Sequence, residues 1–240
     1  MTTPAINSTN SIICAAMRHA GLLSEGQLPS SEQFANHMDD LNRLVNLWQT
    51  QGLKLWLQED LSVPLIAGKG GPGNPYTLTP GGSVDMTKPL RVQQGYYLDQ
   101  FNQTRPIYPL SWDEWNRLAA RTQQGSLTQF FVDKQQYSLN VYTWLVPDTN
   151  AATGTMHLMI QNQVGNTVML TDTMNFPSEW SIALVWGLAD EVCTGQPQAI
   201  MDRCAGKAGL YRTMLEDWDV EDASTKFAPD LRWYGGSDFQ

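Results

Sequence analysis

The residues that could do chemistry in this chain are few and scattered. Three histidines, His19, His37 and His157, fall in separate stretches. None has a cysteine, a second histidine or a carboxylate at metal-ligand spacing, which assigns them to polar surface or to satisfied side chains. Adjacent carboxylates occur at Asp39-Asp40, Glu59-Asp60 and Asp113-Glu114. An acid–base pair needs two carboxylates facing each other across a substrate, whereas neighbours in sequence point in different directions. Asp113 and Glu114 are accounted for by a helix N-terminus, where negative charge is favoured. Gly68-Lys69 has the look of a phosphate loop, but Gly70 stands where Ser or Thr would hold magnesium, and no upstream glycine has the required step. No G-x-S-x-G, C-x-x-C or H-E-x-x-H is present. The expectation is a protein that is not an enzyme, with no catalytic residues, no metal and no cofactor.

Composition sets further bounds. The chain has 240 residues, a formal net charge of −9 and nine tryptophans. That length supports a sizeable core. The acidity argues against a broad cationic face for nucleic acid, because phosphate binding rests on clustered Lys and Arg. Three cysteines, Cys14, Cys193 and Cys204, are too sparse and odd in number for a disulfide framework, and fit a reducing site of synthesis. Met1–Ser11 lacks a basic segment followed by an apolar run, so no signal peptide is expected. No apolar stretch is long enough to predict a membrane span.

The elements that must position these residues follow a simple order: helix, strand, helix. Apolar residues at helical spacing predict a first helix from Asn7 to Ala20, with Gly21 as its stop. A second starts at a capping box, Ser30 with Gln33, carries Phe34, Met38, Leu41, Leu44, Val45 and Trp48 on one face, and ends at Gly52. Alternation at Leu53, Leu55 and Leu57 then predicts a strand. The Gly- and Pro-rich run Gly68–Pro75 predicts a surface loop, read as a mobile contact to a neighbouring subunit. Strands are predicted at Leu90–Leu98, Pro106–Tyr108, Thr128–Val132, Tyr137–Val146 and Thr155–Gln163, with a short capped helix from Ser111 that fades near Thr122. In Tyr137–Val146, Leu139, Val141 and Leu145 are expected to face one way and Asn140, Tyr142 and Trp144 the other. Asp148–Gly154 reads as a hairpin loop. Helices return after Pro177, first an apolar one through Val192, then a last one carrying Ile200, Cys204, Ala208, Tyr211, Leu215 and Trp218.

Two aromatic groups stand out. Tyr96, Tyr97, Phe101, Tyr108, Trp112 and Trp115 crowd one stretch. Such rings can stack on sugars or bases, but basic residues are thin there, so core or protein interface is the reading. The C-terminal stretch from Val220 to Gln240 has no period, yet mixes Phe227, Trp233, Tyr234 and Phe239 with Glu221, Asp222, Asp230, Asp238, Lys226 and Arg232. That mixture suits a segment that orders on a partner, with aromatic anchors and carboxylates steering toward a basic surface.

Three stretches in this order resemble the head-to-tail adaptor proteins of short-tailed bacteriophages: Ile12–Leu23 (IICAAMRHAGLL), Ala35–Trp56 (ANHMDDLNRLVNLWQTQGLKLW), and Phe176–Trp180 leading into Ile182–Val192 (IALVWGLADEV). The resemblance extends to about Trp218. It implies an α+β chain in which N-terminal helices (1–52) and C-terminal helices (176–219) form one helical bundle. A β-rich antiparallel insertion (53–175) projects from it, long beside compact members, and an extended tail (220–240) grips the portal. Phe227, Asp230, Arg232, Trp233, Tyr234 and Phe239 are the portal contacts this implies. The partners implied are the portal ring, the tail nozzle and further copies of the same chain. They would form a ring of about twelve that extends the DNA channel, passes double-stranded DNA without reading its sequence, and touches no membrane. Its place would be the head–tail junction of a virion, after synthesis in the host cytoplasm. Two rivals remain: a carbohydrate-binding module using exposed aromatics of the β-rich middle, and a hydrolase with carboxylates converging around Glu59 and Asp60.

Overall fold

A computed structural model describes residues 8–51, 57–165, 169 and 176–218. Its helices are α1 (Thr9–His19), α2 (Ser31–Thr50), α3 (Trp112–Arg117), α4 (Ser181–Val192) and α5 (Gln198–Trp218). The strands are β1 (Gln58–Pro64), β2 (Tyr76–Thr79), β3 (Val84–Asp85), β4 (Arg91–Leu98), β5 (Thr104–Leu110), β6 (Gln124–Gly125), β7 (Gln129–Lys134), β8 (Leu139–Trp144), β9 (Val146–Pro147) and β10 (Thr155–Gln161).

The helix starts obey local chemistry. Ser30 Oγ accepts from the Gln33 amide at 3.2 Å, and Gln33 Oε1 accepts from the Ser30 amide at 3.0 Å. Ser111 and Glu114 repeat the device at α3. Each box satisfies two backbone donors that a helix start leaves open, a cap being worth about 1 kcal/mol. Pro177 stands one turn earlier than its predicted role: a 3-10 turn, Ser178–Trp180, separates it from α4.

Helices from both ends of the chain share one core. α4 lies at its centre and packs on α1, α2 and α5. Ile12, Ile13, Met17, Leu41, Leu184 and Trp180 are fully buried there. α2 and α4 approach closely at Gly187, where a Cβ would meet Trp48 at 3.0 Å and Leu44 at 3.1 Å. The small residue permits the contact.

The strands build a second core, with eight of them in the order β1-β10-β4-β5-β7-β8-β2-β3. The sheet curls until its edges face each other: Val63 and Pro64 of β1 border the same cleft as Tyr76 and Val84. Inward residues from seven strands meet in the resulting near-barrel, including Tyr76, Leu78, Ile107, Phe130, Leu139, Val141, Met156 and Leu158.

Several expectations for this region are corrected. The sheet is mixed, not antiparallel: β5 runs parallel to β7, and β2 to β3. For β5 and β7 the connection, which holds α3, is long enough for the crossover that a parallel pair needs. Asp148–Gly154 is not a hairpin loop, because β8 pairs with β7 and β2 while β10 pairs with β1 and β4. In β8 the inward set is Leu139, Val141 and Thr143, and Leu145 lies beyond the strand's end. The first strand of the middle begins at Gln58; Leu53 and Leu55 lie outside the described residues.

The glycine run is the irregular loop expected, with Gly68, Pro72, Gly73 and Asn74 exposed, but two of its glycines depart from a surface role. Gly70 and Gly71 are buried. The Gly70 carbonyl accepts from the Thr143 amide at 2.9 Å, extending the β8 ladder. Gly70 has φ +98°, and a Cβ there would lie 2.3 Å from Thr143 Oγ1. These glycines serve close backbone approach within one chain.

The two cores meet at a neck. Asn162 N–H donates to the Leu57 carbonyl at 2.9 Å where the chain enters and leaves the β region. Beside it, buried Gln49 of α2 bonds to both backbone groups of Val164.

Candidate functional site

The predicted portal contacts Phe227, Asp230, Arg232, Trp233, Tyr234 and Phe239 lie outside the described residues, as does the whole tail from Asp219. What the structure positions is the helix that leads to them. Among the residues of α5 whose burial is described, only Cys204 is buried. Leu210 and Met214, four residues apart, share one face and are 46% and 55% exposed. The helix is held down at two points: Arg203 donates to the His19 carbonyl at 2.6 Å, and Arg212 donates to Gln51 at the end of α2. An apolar stripe at i and i+4 on a fixed helix is a surface that a partner can cover. Ile182 on α4 and Leu47 on α2 are also exposed, at 46% and 52%.

The carboxylate pairs separate as their spacing predicts. Glu59 accepts from Asn162 Nδ2 at 2.6 Å and borders a cleft of about 790 Å³ with Asp85 and Asn162. Asp60 points to the other face of β1, where it accepts from the Tyr96 hydroxyl at 2.7 Å and lies 3.1 Å from His157 Nδ1. The Tyr96 and His157 rings stack at 4.6 Å. The Asp60 hydrogen bond raises the Tyr96 phenol above its ordinary pKa, because the carboxylate favours the protonated hydroxyl. This cluster joins β1, β10 and β4 across the outside of the barrel; sequence reading missed it because its members are far apart in the chain. Asp113 pairs with Arg117 at 2.8 Å, and Asp40 with Arg43 at 2.8 Å. Glu114 is held below the ordinary carboxylate pKa by the Ser111 backbone and hydroxyl. Among the described residues, no three His, Cys, Asp or Glu side chains gather as a metal site would require. No helix among them is long and apolar enough to cross a membrane.

The aromatic stretch divides by face. Tyr97 is buried and donates to the Ala151 carbonyl at 3.3 Å. Trp115 stacks on Phe131 at 5.4 Å, with Tyr142 beside both, so α3 clamps onto the outer face of β7 and β8. Phe101, Tyr108 and Trp112 stay exposed, at 73%, 62% and 64%. Tyr108 has a partner that sequence did not pair with it: ladder register aligns Tyr108, Gln129 and Trp144 across β5, β7 and β8.

No protein-family model matches this chain, and no curated protein matches it either.

Proposed function

We propose that the protein is a non-enzymatic, ring-forming head-to-tail adaptor of a short-tailed bacteriophage. It docks beneath the portal, extends the DNA channel and carries the nozzle. The observation that carries the reading is the closure of one bundle by helices from both ends of the chain, with its last helix presenting Leu210 and Met214 just before the acidic, aromatic C-terminal segment. That arrangement supplies a base and an apolar face on which a neighbouring copy can pack, followed in sequence by a segment whose aromatic and charged residues suit a different partner. Many modest contacts repeated by symmetry then close a ring. The net charge of −9 agrees with a channel wall to which DNA adheres weakly. The finer elements of the proposal come from the resemblance: about twelve copies, an extended tail on the portal, and Phe227, Asp230, Arg232, Trp233, Tyr234 and Phe239 as its anchors.

Co-sedimentation of the purified chain with the portal ring of the same virus, with copies counted by mass, tests the reading. One chain bound per portal subunit supports the adaptor. A chain that stays monomeric and sediments apart from the portal removes it.

A further inference from the structure

We infer that the outer face of the barrel carries a binding groove for a short stretch of neutral oligosaccharide, built on Tyr108, Gln129 and Trp144. This inference does not depend on the adaptor reading. The three residues stand opposite one another in consecutive strands: Tyr108 pairs with Gln129 and Gln129 with Trp144. Directly paired residues share a face, and the face is the outer one, since Phe130 and Thr143, the next residues in β7 and β8, are fully buried inside. Two strand spacings separate the tyrosine from the tryptophan, about 10 Å. They border an open groove of about 440 Å³ with Arg105, Ser126 and Thr128.

Composition and geometry point to sugar. A pyranose ring has a C–H face that packs on an aromatic ring and an edge of hydroxyls that needs amides, hydroxyls or guanidinium groups. Here two aromatic side chains, stiff and cheap to order, flank a carboxamide. Thr128 Oγ1 donates to the Trp144 carbonyl at 3.1 Å, and the Trp144 indole N–H donates to the Ala120 carbonyl at 3.3 Å, so the tryptophan is held in place before any ligand arrives. Among the described residues the Tyr108 hydroxyl, the Ser126 hydroxyl and the Gln129 amide make no side-chain hydrogen bond within the protein, which leaves them for a ligand. Other chemistries fit less well. The groove has a single cation, Arg105, and that one faces Asp99 at 3.7 Å, so a phosphate backbone finds little to hold it. It lies on the face of the sheet, away from the edges where a peptide strand would add. No carboxylate lines it, so it binds sugar without cleaving it.

The test is isothermal titration of the full chain with cellohexaose, maltohexaose and chitohexaose, each measured separately. Saturable heat with one of them is expected. Tyr108→Ala should weaken that binding about tenfold, as removing one stacking platform does. Tyr137→Ala should leave it unchanged: Tyr137 is 78% exposed but stands in the turn at the other end of β7. Gln129→Ala provides a second probe should Tyr108→Ala lower the unfolding midpoint, and it too should weaken binding. No saturable heat with any of the three overturns the proposal. So does equal loss in the Tyr108 and Tyr137 variants. If no sugar binds and Tyr108→Ala instead abolishes association between copies of the chain, the groove is a protein interface and the proposal also fails.

Discussion

The side chain of Gln49 hydrogen-bonds both backbone groups of Val164: its Oε1 accepts from the amide at 3.1 Å and its Nε2 donates to the carbonyl at 3.4 Å. One carboxamide thus does for Val164 what a neighbouring strand would do. Gln49 is 3% exposed and Val164 equally so, and the contact ties the helical core to the point where the chain leaves the barrel.

Gln49→Ala should therefore leave a buried N–H and C=O without partners. A cost of about 1–3 kcal/mol is expected. Urea unfolding measures it, and hydrogen exchange at the Val164 amide should quicken in the same variant. Unchanged exchange there would show that the contact does not hold the neck.

The glycines of α4 and α5 should respond to alanine with opposite signs. At Gly206 a Cβ meets nothing within 4 Å, so Gly206→Ala should stabilise by about 0.8–1 kcal/mol through helix propensity alone. At Gly187 the same Cβ presses on Trp48 and Leu44, and the overpacking, about 1–3 kcal/mol, should outweigh that gain. Thermal melts of the two variants decide the point; Gly187→Ala as the more stable of the pair would contradict the close approach of α2 and α4.

Gly70→Ala should destabilise the barrel, whereas Gly73→Ala should cost less. Both have positive φ, but only at Gly70 does the new Cβ strike a buried neighbour, Thr143. Comparing their denaturation midpoints separates backbone strain, common to both, from the clash. Equal midpoints would leave strain as the whole effect.

Folding should weaken as pH falls through about 6.5, the ordinary histidine value, because of His19. Burial first, and then the charge of Arg203, lower its pKa in the folded protein. The ring stacks on Trp186 at 4.3 Å. Between the depressed folded value and the ordinary one, the unfolded chain binds more protons than the folded chain, so stability rises with pH across that window. His19→Phe keeps a flat ring and removes the proton site. Its urea midpoint should change less than the parent's between about pH 7.5 and 5.5; parallel profiles would acquit His19.

Truncation after Asp219 should abolish portal binding while both cores remain folded, because every described residue of the two cores precedes that point. Circular dichroism checks the fold and co-sedimentation the binding. Retained binding would detach the adaptor proposal from the tail.

The helices were legible in the sequence because their signals are local. Ser30 and Gln33, or Ser111 and Glu114, lie within one turn of each other, and the apolar stripe of α2 repeats every three or four residues. The positions of most strands could be read for the same reason, from alternation and turn residues. Their partners could not. Whether β10 joins β8 or lies between β1 and β4 depends on contacts between residues far apart in the chain, and no short window of sequence records them. The burial of Gly70, the bond between Gln49 and Val164, and the row of Tyr108, Gln129 and Trp144 are of the same kind. Sequence by itself determined where the helices start, how their faces divide, and which groups lack catalytic spacing. Only the tertiary structure decided the curl of the sheet, the neck between the cores and the residues that share the outer groove, because those depend on which distant backbone groups find one another when the chain closes.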